Sequence, residues 1–99
     1  MNIEKIYNDK ELTIKVESQI DTVTAPDFEN EINDEMGKFD SLILDFEKLE
    51  YISSAGLRVL IMTQKKLHSQ SIPCTIINAS DMIKNIIEVS GLDNILNIQ

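Results

Sequence analysis

Two adjacent serines, Ser53 and Ser54, stand in the segment EYISSAGLRVLI, where a strand-like stretch gives way to an aliphatic run with helical spacing. A serine that precedes a helix serves as an N-cap, because its side-chain oxygen accepts an N–H of the first turn. A serine at this place also lies at the positive end of the helix dipole, which stabilises a phosphate group. The spacing alone favours the cap, and it leaves a phosphate acceptor open because the two roles are compatible.

Other candidate nucleophiles lack the partners that catalysis requires. The only histidine, His68, follows Ser54 on the same predicted helix, and at about 1.5 Å per residue it is too far away to act as its base. The only cysteine, Cys74, lies in an apolar run typical of a buried strand. The sequence contains neither a phosphate-binding loop motif nor enough cysteines for a zinc cluster. We therefore expect no enzyme activity, no cofactor and no metal.

Length and charge restrict the class of protein further. A chain of 99 residues has room for one hydrophobic core. Nine Lys and Arg against seventeen Asp and Glu give a net charge of −8, which disfavours nucleic acid and anionic membranes as partners. No stretch resembles a signal peptide or a membrane span. We expect a cytoplasmic monomer that binds another protein.

The N-terminal part of the sequence predicts a β-hairpin followed by a helix. The segment ELTIKV alternates apolar and polar residues as a half-buried strand does, and Asn8 and Asp9 predict the turn before it. Thr24 followed by Asp27 resembles a capping box, which predicts a helix that ends near Gly37.

The remaining segments predict strands that alternate with helices. SLILDF has no polar residue between its aliphatic ones, which is typical of a central strand covered on both faces. CTIIN predicts a later strand, and Asn78 with Asp81 predicts the cap of a third helix that ends at Gly91. Residues 92–99 are compatible with a short strand or a helix end. The order implies an α/β fold with parallel crossovers around a mixed sheet.

The segment LILDFEKLEYISSAGLRVLI resembles the signature of the STAS domain, the fold of bacterial anti-sigma factor antagonists, or anti-anti-sigma factors. In that signature a buried strand ending in Asp leads through a loop to a serine at a helix start and then to Gly-Leu. The similarity also covers the N-terminal hairpin, QIDTVTAPDFENEI and NASDMIKNIIEVSGLDNIL. The resemblance implies a single STAS domain over residues 1–99, with a mixed β-sheet of four to five strands and helices packed against it.

The same resemblance assigns roles to the two serines. Many members read Asp-Ser-Ser-Gly-Leu here, and the partner anti-sigma factor, itself a serine kinase, phosphorylates the first serine. Alignment on Gly56 and Leu57 implies that Ser54 is the phosphoacceptor. Ser53 then replaces the aspartate of the family and Ala55 replaces its second serine.

The implied partner surface combines two loops with the first turns of the helix. The family places the loop around Asp21 beside the serine loop, and Arg58 lies one turn into the helix. Plain solvent exposure is the alternative explanation for Asp21, Thr22 and Arg58. The complete set of implied partner-binding residues is Asp21, Thr22, Ser53, Ser54, Gly56 and Arg58.

The resemblance finally implies a function as an anti-sigma factor antagonist. Such a protein, when unphosphorylated, binds an anti-sigma factor serine kinase of the GHKL type and so releases a sigma factor. Phosphorylation of Ser54 would switch it off, and a PP2C-type phosphatase would reset it. The alternative is a constitutive scaffold or subunit in a signalling or transporter complex, in which Ser54 is only a helix cap. A small-ligand function has no binding motif to support it.

Overall fold

The fold is described by a computed structural model that covers residues 1–99. It is the α/β architecture that the sequence predicted, with a mixed four-stranded sheet and three helices. The elements in chain order are β1 (Ile3–Asn8), β2 (Glu11–Val16), β3 (Ser18–Ile20), α1 (Ala25–Asn33), β4 (Ser41–Asp45), β5 (Leu49–Ile52), α2 (Ser54–Ser69), β6 (Cys74–Ile77) and α3 (Asp81–Val89).

The main sheet has the strand order β1-β2-β4-β6. β1 and β2 form the predicted antiparallel hairpin, and Asp9 in its turn adopts a positive φ of 54°, which Asp tolerates better than most residues. The pairs β2–β4 and β4–β6 are parallel. Helical connections supply the crossovers that parallel pairs require.

The prediction that β4 is covered on both faces is wrong. Leu42 and Leu44 are buried, whereas Ile43, which points to the opposite face, is only half-buried. Strands β2 and β6 follow the same alternation in register with β4. The sheet therefore buries one face in the core, and an unbroken aliphatic run does not by itself prove burial on both sides.

A second, parallel sheet consists of β5, the strand-like stretch before the two serines, and β3, which the sequence did not predict. β3 pairs with β5, and Ile20 lies opposite Ile52 at the end of the pair. The ladder continues for one more bond, because the backbone N–H of Ser53 donates to the carbonyl oxygen of Ile20 at 2.8 Å. This pairing places the segment after β3 beside the segment after β5.

The first helix begins where the sequence predicts, with Thr24 as its N-cap residue, but the hydrogen bonding at its start and the position of its end differ from the prediction. The Thr24 side chain makes no capping bond to α1. The Asp21 carboxylate instead stabilises the turn just before α1, where it accepts the N–H groups of Val23 and Thr24, both at 2.9 Å. The α-helix ends at Asn33, and short turns fill the stretch up to Gly37.

The third helix has a different cap from the predicted one. Ser80 accepts the N–H of Ile83 at 3.2 Å. Asn78 instead adopts a positive φ of 59° and donates its side-chain amide to Asp45 at 3.1 Å. The predicted end at Gly91 is confirmed by its positive φ of 73°, a conformation that glycine adopts without strain.

Residues 92–99 form neither a helix end nor a strand of their own. A turn at residues 93–95 leads to a single parallel bridge between Ile98 and Ile76, and Leu96 is buried in the core. The core is one cluster of 23 buried hydrophobic residues, among which Phe28, Phe39 and Phe46 are the largest. None of the three helices has the length and continuous hydrophobicity that a membrane crossing requires.

Candidate functional site

Ser53 links β5 to α2 and forms hydrogen bonds both to β3 and to the first turn of α2. Its backbone is extended, with φ −88° and ψ 174°, and its side-chain oxygen accepts the N–H of Gly56 at 3.3 Å. Its carbonyl oxygen accepts the N–H of Leu57 at 2.9 Å, the first bond of the helix. These are the features of an N-cap residue, so Ser53 is the cap of α2.

Ser54 is the first residue of α2 and is exposed to solvent. The N–H groups of Ser54 and Ala55 have no intrahelical acceptor at this position. The first turn of α2 contains no acidic residue that would offset the positive end of the helix dipole. Ser54 therefore presents a free hydroxyl group at an electropositive helix end.

The loop after β3 lies beside the two serines because β3 and β5 are paired and parallel. Asp21 is partly buried in this loop, whereas Thr22 and Val23 are exposed. Val23 keeps 80% of its surface accessible. Asp21 and Thr22 were predicted as contact residues and Val23 was not, although an exposed valine in the polar segment DTVTAP is unusual.

Asp21 has a local structural function that the sequence did not predict. Besides its two backbone bonds, its carboxylate accepts from Gln19 Nε2 at 2.7 Å, and the N–H of Asp21 donates to Thr24 Oγ1 at 2.8 Å. The backbone N–H of Thr24, together with the other donors, lowers the pKa of Asp21 below its usual value. The carboxylate is thus committed to forming the first turn before α1.

Gly56 is buried, in contrast to its predicted place on the partner surface. A Cβ atom on this residue would lie 2.7 Å from Ile20 Cγ2 and 2.7 Å from Ile52 Cγ1, which is far inside van der Waals contact. Gly56 therefore allows α2 to pack closely on the β3–β5 pair, and this packing fixes the position of Ser53 and Ser54.

Arg58 is exposed one helical turn after Ser54 and forms no ion pair within the chain. Residues separated by four positions on a helix lie on the same face. Ser53, Ser54, Arg58 and the loop with Asp21 and Thr22 therefore belong to one end of the molecule.

Neither a catalytic pair nor a metal cluster accompanies the serines. His68 is exposed near the far end of α2, about 21 Å from Ser54 along the helix axis. No group of three or more His, Cys, Asp or Glu side chains is arranged to hold a metal ion. A cavity of about 330 Å³ opens between the hairpin and the β4–β5 turn, and neither serine lines it.

Comparisons with known proteins identify the family. The STAS domain family model matches residues 1–99. The anti-sigma-B factor antagonist of Staphylococcus aureus is 28% identical over 100 residues, which cover 99% of this chain and 92% of the relative.

Solved structures share the fold. An anti-sigma factor antagonist from Mycobacterium paratuberculosis superposes with a TM-score of 0.89 at 24% identity, covering 98% of this chain and 83% of that one. The Bacillus protein SpoIIAA in its phosphorylated form has a TM-score of 0.77 at 16% identity, covering 99% and 91%. Together with the family match over the whole chain, these likenesses lead to one conclusion: the chain belongs to the STAS domain family.

Proposed function

We propose that this protein is an anti-sigma factor antagonist controlled by phosphorylation of Ser54. Unphosphorylated, it binds an anti-sigma factor serine kinase of the GHKL type, and the bound kinase releases its sigma factor. Phosphorylation of Ser54 ends this binding, and a PP2C-type phosphatase restores it. The protein acts by binding alone and has no enzymatic activity of its own.

The observation that carries this proposal is the division of roles between the two serines. Ser53 uses its side-chain oxygen to cap α2, so the hydroxyl of Ser54 is not needed for the fold. A kinase can modify an exposed hydroxyl at a helix end without disturbing the core. A phosphate at this position is also stabilised by the free N–H groups and by the dipole of α2.

The physics of the switch is local. A phosphoserine adds about −1.5 to −2 charges and three acceptor oxygens at pH 7. Placed on Ser54, it changes both the charge and the shape of the end of the molecule that carries Arg58 and the Asp21 loop. A partner surface that is complementary to a small hydroxyl then meets a bulky anion, so the affinity falls while the fold persists.

The scaffold alternative loses its main argument. It explained Ser54 as a helix cap, and that explanation is wrong because Ser53 is the cap. The replacement of the family's aspartate by Ser53 does not remove the capping group either, since serine and aspartate are both good N-caps. No observation in the structure specifically favours a constitutive subunit.

Incubation with ATP and the cognate anti-sigma factor kinase, followed by mass spectrometry, tests the proposal. We expect one phosphate on Ser54 and none on Ser54→Ala. The matched control is Ser53→Asp, which keeps a capping oxygen and should still be phosphorylated on Ser54. Ser54→Asp should weaken kinase binding, because a carboxylate places negative charge at the same site.

Two results would contradict the proposal. Phosphate on Ser53, or on neither serine with a kinase that demonstrably binds and is active, would exclude Ser54 as the switch. ATP hydrolysis by the purified protein that disappears in Ser54→Ala would show an enzyme instead of a binding module.

A further inference from the structure

The outer face of α2 carries an unusual charge for this acidic molecule. The chain has a net charge of −8, yet the sixteen residues of α2 include Arg58, Lys65 and Lys66 and no acidic residue. By contrast, α1 contains three acidic residues and no basic one. α2 is thus the one helix of the three that carries cations without acids.

The cations of α2 are free to interact with another molecule. The ion pairs of the fold involve Lys5, which contacts Glu31 at 2.8 Å and Glu35 at 3.3 Å, and Lys48, which contacts Glu17 at 3.4 Å. Arg58, Lys65 and Lys66 are exposed and belong to none of these pairs. Their charges are therefore not neutralised by neighbouring elements.

These cations are aligned with Ser54. At 100° per residue, Ser54, Arg58, Met62 and Lys65 fall within about 80° of the helix circumference, over a length of about 17 Å. Met62 keeps 54% of its surface exposed in the middle of this stripe, and Lys66 lies at its border. The stripe, called here the α2 cationic face (Ser54, Arg58, Met62, Lys65 and Lys66), continues directly from the proposed phosphorylation site.

We propose that the α2 cationic face binds an acidic surface of the partner protein, in which carboxylates surround a small apolar contact for Met62. This inference rests on the proposed function, since it extends the partner site beyond the serine end by three helical turns. It also gives the switch a second physical cause. A phosphate on Ser54 lies four residues before Arg58 on the same face, so it cancels part of the positive charge that attracts the partner.

Charge favours a protein partner over other anions. A nucleic acid or an anionic membrane would meet the α2 cationic face too, but it would also meet the rest of this small molecule, where 17 acidic residues face only six Lys and Arg, an excess of eleven negative charges. A folded partner can present a local acidic patch without that long-range repulsion. Peripheral charges of this kind act mainly on the association rate and its salt dependence.

The test compares two double variants with the same change in net charge. Lys65→Gln with Lys66→Gln removes two charges from the α2 cationic face. Lys10→Gln with Lys15→Gln removes two exposed charges from the hairpin, where Lys15 points to the face of the sheet away from the core. We expect the α2 variant to lower affinity for the cognate kinase by about three- to ten-fold at low salt, with a shallower salt dependence, and the hairpin variant to change little.

A second probe does not depend on the kinase. Titration with a twelve-residue polyglutamate peptide, followed by NMR of the ¹⁵N-labelled protein, should shift amide signals of α2 around Arg58, Met62 and Lys65. The α2 variant should lose these shifts and the hairpin variant should keep them. Shifts that are absent, or that spread over all exposed lysines, would overturn the inference.

The outcomes separate this inference from the proposed function. If Ser54→Asp weakens kinase binding while both double variants bind like the wild type, the proposed function stands. The inference that the α2 cationic face binds the partner is then wrong. If the kinase does not bind the wild-type protein, the proposed function fails. The peptide titration then tests by itself whether the α2 cationic face binds an acidic ligand. Binding of a DNA duplex or of phosphatidylserine vesicles that only the α2 variant loses would contradict a protein partner.

Discussion

Two neighbouring hydroxyl groups that look equivalent in the sequence have different environments in the fold. Which serine becomes the cap depends on where β5 ends, and that point is set by the bond from the Ser53 N–H to the Ile20 carbonyl oxygen. This contact joins residues far apart in the chain, so the local pattern Ser-Ser could not reveal it. The family resemblance, by contrast, indicated Ser54 as the phosphoacceptor, from its spacing to Gly56 and Leu57.

Unfolding free energies should distinguish the two serines. Ser53→Ala removes the cap and should lower stability by about 0.5–2 kcal/mol. Ser54→Ala should change stability by less than about 0.5 kcal/mol, because the hydroxyl group that it removes is exposed and makes no hydrogen bond within the fold. Urea titrations of both variants measure the difference. Equal losses in the two variants, or a larger loss in Ser54→Ala, would contradict the assignment of the cap.

Gly56→Ala should destabilise the protein, although alanine is the better helix former. The new methyl group would meet the branched parts of Ile20 and Ile52 at 2.7 Å. These atoms lie next to the backbone and cannot swing away. Overpacking typically costs about 1–3 kcal/mol, against a helix-propensity gain of about 1 kcal/mol. Urea unfolding should therefore show a net loss, and a net gain in stability would mean that α2 does not pack closely on β3 and β5.

Regular elements of the fold were predictable from hydrophobic patterns, and irregular ones were not. The hairpin and the three helices show a clear period, and β4 and β6 are recognisable as short apolar runs, LIL and CTII. β3 (SQI) and β5 (LEYI) are short and contain no continuous apolar run, and their backbone hydrogen bonds depend on their pairing with each other. Because the pairing of β3 with β5 was not predicted, the close contact of Gly56 with Ile20 and Ile52 was also missed.

Helix caps were also difficult to predict from the sequence, because several residues near each helix start are suitable N-caps. In NASD both Asn78 and Ser80 suit an N-cap. Asn78 also tolerates a positive φ, and its side chain bonds to Asp45 at the end of β4. Because Asn78 is engaged there, Ser80 is the N-cap of α3. At α1 the N-cap residue is Thr24 as predicted, but its side chain makes no capping bond, and the Asp21 carboxylate holds the preceding turn instead.

The turn that Asp21 holds before α1 predicts a pH effect on stability. Hydrogen bonds lower the pKa of Asp21 in the folded state, so its ionised form is favoured by folding. Its stabilising contribution is present above the unfolded pKa of about 3.9 and disappears as the pH falls through the lower, folded pKa. Asp21→Asn keeps a capping oxygen but cannot titrate.

Urea unfolding between pH 3 and pH 7 checks this prediction. The stability of the wild type should fall more steeply with decreasing pH than that of Asp21→Asn, and the two curves should converge at the acid end. Parallel curves over the whole range would show that the carboxylate of Asp21 is not held by its donors. An NMR titration of its side-chain carbonyl gives the pKa directly.

At the scale of the whole molecule, the core and the candidate site are separated. One face of the main sheet, the helices and the β3–β5 pair enclose the buried cluster, while Ser54, Arg58 and the loop at Asp21 lie outside it. A phosphate on Ser54 therefore changes the surface charge without entering the core. The proposed switch needs no refolding, and we expect the unphosphorylated and phosphorylated forms to be equally compact monomers.

The single thiol provides a direct test of this rigid core. Cys74 is buried in β6 with 6% of its surface exposed, and burial raises its pKa to about 11. At pH 8 only about one thiol in a thousand is then ionised, compared with about one in four for a free cysteine, and the thiolate is the reactive form. Iodoacetamide should therefore label native Cys74 at least about a hundred-fold more slowly than the urea-unfolded chain.

The matched control is Cys74→Ala combined with Ser54→Cys, which moves the thiol to the exposed helix end, where labelling should be fast. Equal labelling rates in the native and unfolded wild type would mean that β6 opens freely. Slow labelling of Cys74 that persists after phosphorylation of Ser54 would support a switch confined to the surface, whereas exposure of Cys74 on phosphorylation would require a change that reaches the core.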